Sequence, residues 1–177
     1  TSFFEEIKKH RMEHVIKLLL TVKTLKNFHI AILDKAGLLR GTVYYETRSN
    51  LKFKSRAGSE DMPEIVVVVS GDEYHMEKVT LTENIGAHIG SFSLLCFKLF
   101  GSASRIISFE PDKNNYKLFL ENLKINNAKN VESENIAISN YHGNGFLNIE
   151  SMNTDAYYLE VNESKKINCK VNTLYSE

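Results

Sequence analysis

The fold of this chain is decided by residues 79–112, which read VTLTENIGAHIGSFSLLCFKLFGSASRIISFEPD. Residues 79–85 predict an apolar strand that runs into a glycine-containing turn. The helix predicted after the turn carries apolar residues at spacings of three and four: Phe92, Leu95 and Leu99. Gly101 ends this helix at a typical C-cap position, and residues 105–109 form a second apolar strand. A strand–turn–helix–strand unit of about 30 residues has the size of a βαβ crossover that binds a nucleotide-like ligand.

The turn and the end of the second strand indicate the kind of ligand. Gly86 and Gly90 offer backbone without side chains, and Glu110 could accept hydrogen bonds from both hydroxyls of a ribose. Glu110 lies 20 residues after Gly90, close to the spacing of the dinucleotide fingerprint. That fingerprint would need glycine where His88 and Ser91 stand, which disfavours an NAD-dependent oxidoreductase. A ribose ligand without a pyrophosphate fits better, and S-adenosylmethionine is the commonest.

These motifs resemble the FkbM family of S-adenosylmethionine-dependent methyltransferases, whose first motif reads roughly V-D-I-G-A-N-I-G. The resemblance continues through FEPD, YKLFLENLKINNAKNV and ENIAISNYHGNGFLNI and covers roughly residues 55–150. It implies an α/β fold with a Rossmann-like core, S-adenosylmethionine as cofactor, and O-methyl transfer to a hydroxyl of a small molecule or sugar. The pattern and the resemblance together predict these cofactor-binding residues: Asn84, Gly86, Ala87, Gly90, Ser91, Phe92, Glu110, Pro111, Asn135 and Ile136.

Two departures from the family limit the catalytic interpretation. Asn84 stands where the family has an acidic residue that faces the methionine amino group, and Glu83 should point to the other face of the strand. Loss of this charge weakens capture of an ammonium group, although asparagine still accepts a hydrogen bond. After Thr173 and Leu174 the sequence has Tyr175 and then stops before the family's next strand, so no catalytic base is assigned.

These departures support an alternative function, a non-catalytic binding or oligomerisation module derived from a methyltransferase fold. A sheet that ends after its third core strand leaves an open edge, which needs a cover. This predicts a partner chain, a homo-oligomer, or that the 177 residues are a fragment of a longer protein.

Two polar residues have competing interpretations. His88 lies in the glycine turn, and a turn residue near the ligand is favoured over a catalytic histidine. Asn135, at the end of the third strand, either accepts a hydrogen bond from the exocyclic amine of adenine or simply forms a turn. By the resemblance, Ile136 would cover the face of the adenine.

Residues 1–71 are predicted to form a lead-in of helices and a hairpin, and residues 72–177 the cofactor-binding core. A helix begins near Phe3 and has an apolar stripe of Met12, Val15, Ile16, Leu19 and Val22. A second helix spans 27–36 and a hairpin spans 41–56. Four valines at 66–69 favour a strand by propensity, but the resemblance favours a helix that begins with Pro63 at its first position, and a helix is predicted.

Beyond the central unit the pattern predicts one more helix and several strands. Asp112 caps a helix that ends near Asn126, with a buried stripe of Tyr116, Phe119, Leu120 and Leu123. The third strand spans 131–138, and residues 143–145 read as a hairpin turn. Short strands follow near 156–161 and 167–171.

Composition bounds the remaining possibilities. No apolar run of 18 residues exists, and Cys96 and Cys169 are too few for a disulfide framework, so a soluble cytoplasmic protein with no membrane partner is expected. Residues 1–58 carry 12 lysines and arginines against 5 acidic residues, and the remainder carries 10 against 17. Without a compact basic run, solvated or mutually attracting faces are favoured over a nucleic-acid partner. His10 and His14 have metal-ligand spacing but lack a third ligand, so no metal is predicted.

Overall fold

The computed structural model of the chain describes residues 3–71, 83–101, 105–139, 141–148, 158–160 and 166–172. The first four residues of the predicted strand 79–85 and the predicted boundary near residue 72 lie outside these ranges. The described residues form a mixed α/β structure, as the sequence predicts.

The lead-in consists of three helices and a hairpin. Its elements are α1 (Phe3–Thr24), α2 (Phe28–Lys35), β1 (Thr42–Glu46), β2 (Lys52–Arg56) and α3 (Asp61–Ser70). The two strands pair antiparallel. All five elements agree with the sequence prediction to within a few residues.

Helix α3 decides the conflict over the four valines. It begins at Asp61, so Pro63 is its third residue and not its first, and it ends at Gly71 in a left-handed conformation with φ 75°. Ile65, Val66 and Val68 are all buried. Burial of this apolar face outweighs the moderate preference of valine for strands.

The core contains a parallel βαβαβ unit. Its elements are β3 (Glu83–Ile85), α4 (Ser91–Phe100), β4 (Ile106–Phe109), α5 (Lys113–Ile125) and β5 (Val131–Glu134). The strands lie in the order β3-β4-β5, and both pairs are parallel. The carboxyl ends of the three strands therefore lie at one edge of the sheet, where ligands of open α/β folds bind.

A second, four-stranded sheet corrects two predictions. It contains β6 (Ala137–Ile138), β7 (Gly143–Asn148), β8 (Tyr158–Glu160) and β9 (Lys166–Asn172) in the order β6-β9-β7-β8. The predicted strand 131–138 is thus two strands, because its last two residues leave the first sheet and pair with β9. Residues 143–145 form no hairpin turn, since they lie within β7 and also pair with β9.

One continuous apolar cluster joins the lead-in to the core. Four of its residues are completely buried: Phe53 of β2, Ile65 of α3, Ile89, which follows β3, and Phe119 of α5. The lead-in therefore packs directly on the residues that follow β3.

The predicted apolar stripes are only partly buried. Leu99 of α4 and Leu120 of α5 are exposed, and most of the stripe on α1 is exposed as well. The buried residues of α5 include two asparagines, Asn115 and Asn122, which periodicity of apolar residues cannot identify. Within the described ranges, no helix has the length and apolarity needed to cross a membrane.

Candidate functional site

The turn after β3, residues 86–90, is tied to the end of β4. The backbone N–H groups of Gly86 and Ala87 both donate to the carbonyl oxygen of Phe109, each at 2.9 Å. Gly86 is exposed and has φ +77°, and a Cβ at this position would meet no atom of the described residues within 4 Å. Gly86 therefore leaves bare backbone beside open space, as a ligand site at the mouth of β3 requires.

Gly90 lacks a side chain for a different reason from the one the sequence suggested. Its φ is +92°, and a Cβ would lie only 2.3 Å from Cδ2 of Phe119. The absence of a side chain at Gly90 thus allows α5 to pack against the turn. Gly90 itself is buried, as are the neighbouring predicted site residues Ala87 and Ser91.

The carboxylate of Glu110 contacts the turn. Its Oε2 accepts a hydrogen bond from the backbone N–H of His88 at 2.7 Å, and its Oε1 accepts one from the backbone N–H of Asp112 at 2.9 Å. The residue is only 3% exposed, and this burial raises the pKa of the carboxyl to about 7. Each carboxylate oxygen retains acceptor capacity beyond its single amide bond.

The His88 side chain lies against the lead-in. It adopts φ 50°, is buried, and its Nδ1 forms an ion pair with Glu64. Its Nε2 lies 3.4 Å from Oδ1 of Asp61 and 3.3 Å from Nη2 of Arg56. The prediction of a turn residue is confirmed, and the partners of the ring belong to β2 and α3.

These residues form a buried charge cluster (Arg56, Asp61, Glu64 and His88), in which the pKa values of Asp61 and His88 both favour the charged form. Burial opposes ionisation of His88, but the hydrogen bond and charge of Glu64, together with Asp61, outweigh it and raise the histidine pKa. Burial also opposes ionisation of Asp61, yet hydrogen bonds from Arg56 lower its pKa. Arg56 contacts both oxygens of Asp61, with Nη2–Oδ1 at 2.6 Å and Nε–Oδ2 at 3.0 Å.

Asn135 connects the ends of β4 and β5. Its Nδ2 donates to the carbonyl oxygens of Glu110 at 2.8 Å and Pro111 at 3.1 Å. Asn135 and Ile136 also line a cavity of about 600 Å³ that reaches Tyr116. The asparagine therefore both connects two strand ends and lines a cavity at the end of β5.

The remaining predicted site residues are placed less directly. Asn84 lies in β3 and pairs with Ser108 in the parallel register, so it comes two residues before the exposed Gly86. Phe92 is half-buried and packs against the apolar cluster. The structure thus brings Gly86, Glu110, Pro111 and Asn135 to one edge of the sheet. Within the described ranges, no group of three or more histidine, cysteine or acidic side chains could hold a metal ion.

Comparison with known proteins gives distant structural similarity. No protein-family model matches the sequence, and no curated protein matches it. The chain is similar to a proposed transferase, PH0793, from Pyrococcus horikoshii, with 21% identity and a TM-score of 0.45 over 56% of this chain and 37% of that one. It is also similar to P. horikoshii TYW2 in complex with MeSAdo, with 22% identity and a TM-score of 0.43 over 77% of this chain and 50% of that one. The chain therefore spans half or less of the length of these two proteins, and the FkbM resemblance stays a prediction.

Proposed function

We propose that this chain binds S-adenosylmethionine at the carboxyl edge of the β3-β4-β5 sheet and serves O-methyl transfer to a hydroxyl of a small molecule or sugar. The observation that carries the proposal is the position of Glu110. Glu110 directly follows β4, and its carboxylate contacts the turn that exposes the bare backbone of Gly86. A carboxylate and open backbone at neighbouring strand ends suit a ribose and the chain attached to it.

The acceptor capacity of Glu110 fits a diol. Its two oxygens each accept one backbone amide, and the hydroxyls of a ribose would donate to the remaining lone pairs. Such donors stabilise the ionised carboxylate, so bound ligand should lower a pKa that burial has raised to about 7. Ligand binding near neutral pH should therefore release a proton from Glu110.

The adenine would lie in the cavity beside Asn135. Because Nδ2 of this asparagine donates to two backbone carbonyls, its Oδ1 is the atom that would accept from the exocyclic amine. Ile136 lines the same cavity and would cover the face of the ring. This assignment gives Asn135 a structural and a binding role at once.

The methionine end would lie near β3. Asn84 would accept a hydrogen bond from the ammonium group through its side-chain oxygen, more weakly than the carboxylate of the FkbM pattern. When bound, the cofactor would supply a methyl group made electrophilic by the sulfonium, and the residues named here would fix its approach to the acceptor. A catalytic base is not part of the proposal.

Calorimetric titration with S-adenosylmethionine and S-adenosylhomocysteine tests the binding site. We expect a Kd below about 100 μM, equivalent to about 5.5 kcal/mol. Glu110→Gln should weaken binding at least tenfold, and the matched variant Glu132→Gln, on the exposed part of β5, should not. Affinity for the wild type should decrease below pH 7, where Glu110 takes up its proton. Unchanged affinity in Glu110→Gln would refute the ribose assignment.

A non-catalytic binding module is the second candidate. Glu110 is held by two backbone amides without any ligand, and Asn84 replaces the acidic residue of the family pattern. The absence of both heat and thermal shift with either ligand would favour this candidate. If binding is measurable, Asn84→Asp should tighten it, because a carboxylate attracts the ammonium more strongly.

A further inference from the structure

Most of the described side chains of α1 are exposed. Its described side chains from Lys8 to Leu19 are all exposed, and burial begins only at Leu20. Met12, Ile16 and Leu19 are 61%, 49% and 63% exposed. The stability of a helix in a protein comes mainly from packing of its apolar face. The exposed face of α1 therefore suits a partner.

The exposed face has a regular seam. Residues on it alternate at spacings of four and three: Glu5, Lys9, Met12, Ile16, Leu19 and Lys23. This spacing is that of the a and d positions of a coiled coil. The seam has an acidic residue at its first position, apolar residues in the middle and a lysine at its last position. Glu5 and Lys23 are 18 residues apart, or about 27 Å along the helix.

We propose that α1 pairs with α1 of a second copy of this chain in antiparallel orientation. In the register centred on residue 14, Met12 of one copy packs on Ile16 of the other, and Glu5 meets Lys23 at both ends. The aliphatic stem of Lys9 covers Leu19. The seam is thus complementary to itself in both shape and charge.

Charge selects the orientation and the occupant. A parallel pair would place Glu5 against Glu5 and Lys23 against Lys23, which is repulsive at both ends. An anionic membrane would attract Lys9 and Lys23 but repel Glu5, which shares their face. Only the antiparallel second copy satisfies both charged ends of the seam. The pairing is independent of the proposed cofactor site.

Sedimentation equilibrium over a concentration series tests the pairing. The wild type should form a dimer. Ile16→Lys, a change at a side chain exposed in the monomer, should give a monomer with the thermal stability of the remaining fold unchanged. Leu38→Lys, at an exposed leucine outside α1, is the matched control and should dimerise like the wild type.

Charge reversal then tests orientation. Glu5→Lys and Lys23→Glu should each weaken the dimer at least about tenfold, because each replaces two attractions by two repulsions. Their combination should restore the Kd to within about threefold of the wild type. Lys17→Glu, the same change at an exposed α1 residue outside the seam, should have little effect.

Three results would overturn the proposal. The first is a wild-type chain that is monomeric at a concentration of a few hundred micromolar. The second is a double charge-reversal variant that dimerises no better than either single variant. The third is a monomeric wild type that floats with anionic phosphatidylserine vesicles and loses this property in Ile16→Lys, which would assign the same face to a membrane.

Discussion

Substitution of Gly90 by alanine should destabilise the fold through contact with Phe119. Gly90 has φ +92°, and a Cβ there would lie 2.3 Å from Cδ2 and 2.7 Å from Cε2 of the Phe119 ring. Phe119 is completely buried, so the ring has little room to move. Positive φ costs a non-glycine residue about 1–2 kcal/mol, and overpacking costs about 1–3 kcal/mol. We expect Gly90→Ala to lower the free energy of unfolding by about 2–5 kcal/mol.

Gly86→Ala is the matched control. Gly86 has a similar φ of +77°, but a Cβ there would meet no atom within 4 Å in the part of the chain that the structure describes. The free energy of unfolding of this variant should fall only by the cost of the positive φ, about 1–2 kcal/mol. Urea denaturation followed by circular dichroism measures both values, and an unchanged m-value shows that the denatured state is the same. The difference between the two variants isolates the contact with Phe119.

A second substitution provides an independent check. If the ring is the obstacle, Phe119→Leu combined with Gly90→Ala should cost less than the sum of the two single changes, because they share one contact. The packing argument would be refuted if Gly90→Ala cost no more than Gly86→Ala. It would also be refuted if the double variant were fully additive.

Three further predictions concern buried polar groups. Asn122→Ala should lower the free energy of unfolding by about 2–4 kcal/mol. The Asn122 side chain forms hydrogen bonds with the backbone N–H and C=O of Lys54 in β2 and with the carbonyl oxygen of Ile89 in the turn after β3. Urea denaturation should show a much smaller loss for Asn114→Ala at an exposed site, and equal losses would contradict the bonding. Stability should fall as the pH rises from about 5 to 8: the pKa values of His88 and Glu110 are both raised in the folded state, so that state binds more protons than the unfolded chain. His88→Gln should flatten this pH profile, and an unchanged slope would show that His88 does not contribute to the pH dependence of stability. Cys96 should react with a thiol reagent much more slowly in the native than in the urea-unfolded protein, since burial raises its pKa to about 11; equal rates would show that the helix is not packed as described.

The order of the helices and strands follows from local sequence patterns. Asp112 is a side chain suited to capping, and it accepts from the N–H groups of Asn114 and Asn115 at the start of α5. Glu110 follows an apolar strand directly, which places it at the carboxyl edge of a parallel sheet. Spacing and residue type were therefore sufficient to predict the βαβαβ unit and the position of Glu110 at the end of its second strand.

Features that depend on distant partners were not predictable in this way. Ala137 and Ile138 follow β5 after only two residues, and their assignment to another sheet depends on β9, about 30 residues later. The exposed stripe on α1 has the same periodicity as a buried one, because periodicity specifies a face without specifying what covers it.

The buried charge cluster is the least predictable part of the site and changes its interpretation. Asp61 and Glu64 are three residues apart at the start of α3, where acidic residues are ordinary because they favour the helix dipole. Their pairing with His88 needs a contact across more than 20 residues of sequence. From the sequence alone, a histidine in a glycine turn is therefore interpreted as a residue near a ligand, because its partners in the fold are not visible there.

These partners make the lead-in part of the site. The His88 ring is held by α3, and the N–H of the same residue donates to Glu110, so one residue fixes the turn from both sides. A turn held by protein contacts needs no ordering when a ligand arrives, which reduces the entropic cost of binding. Loss of the contact between Glu64 and the His88 ring should therefore weaken ligand binding, although Glu110 is the residue that would hold the ribose. Glu64→Gln, which keeps the shape and removes the charge, is the variant that separates this coupling from a loss of packing.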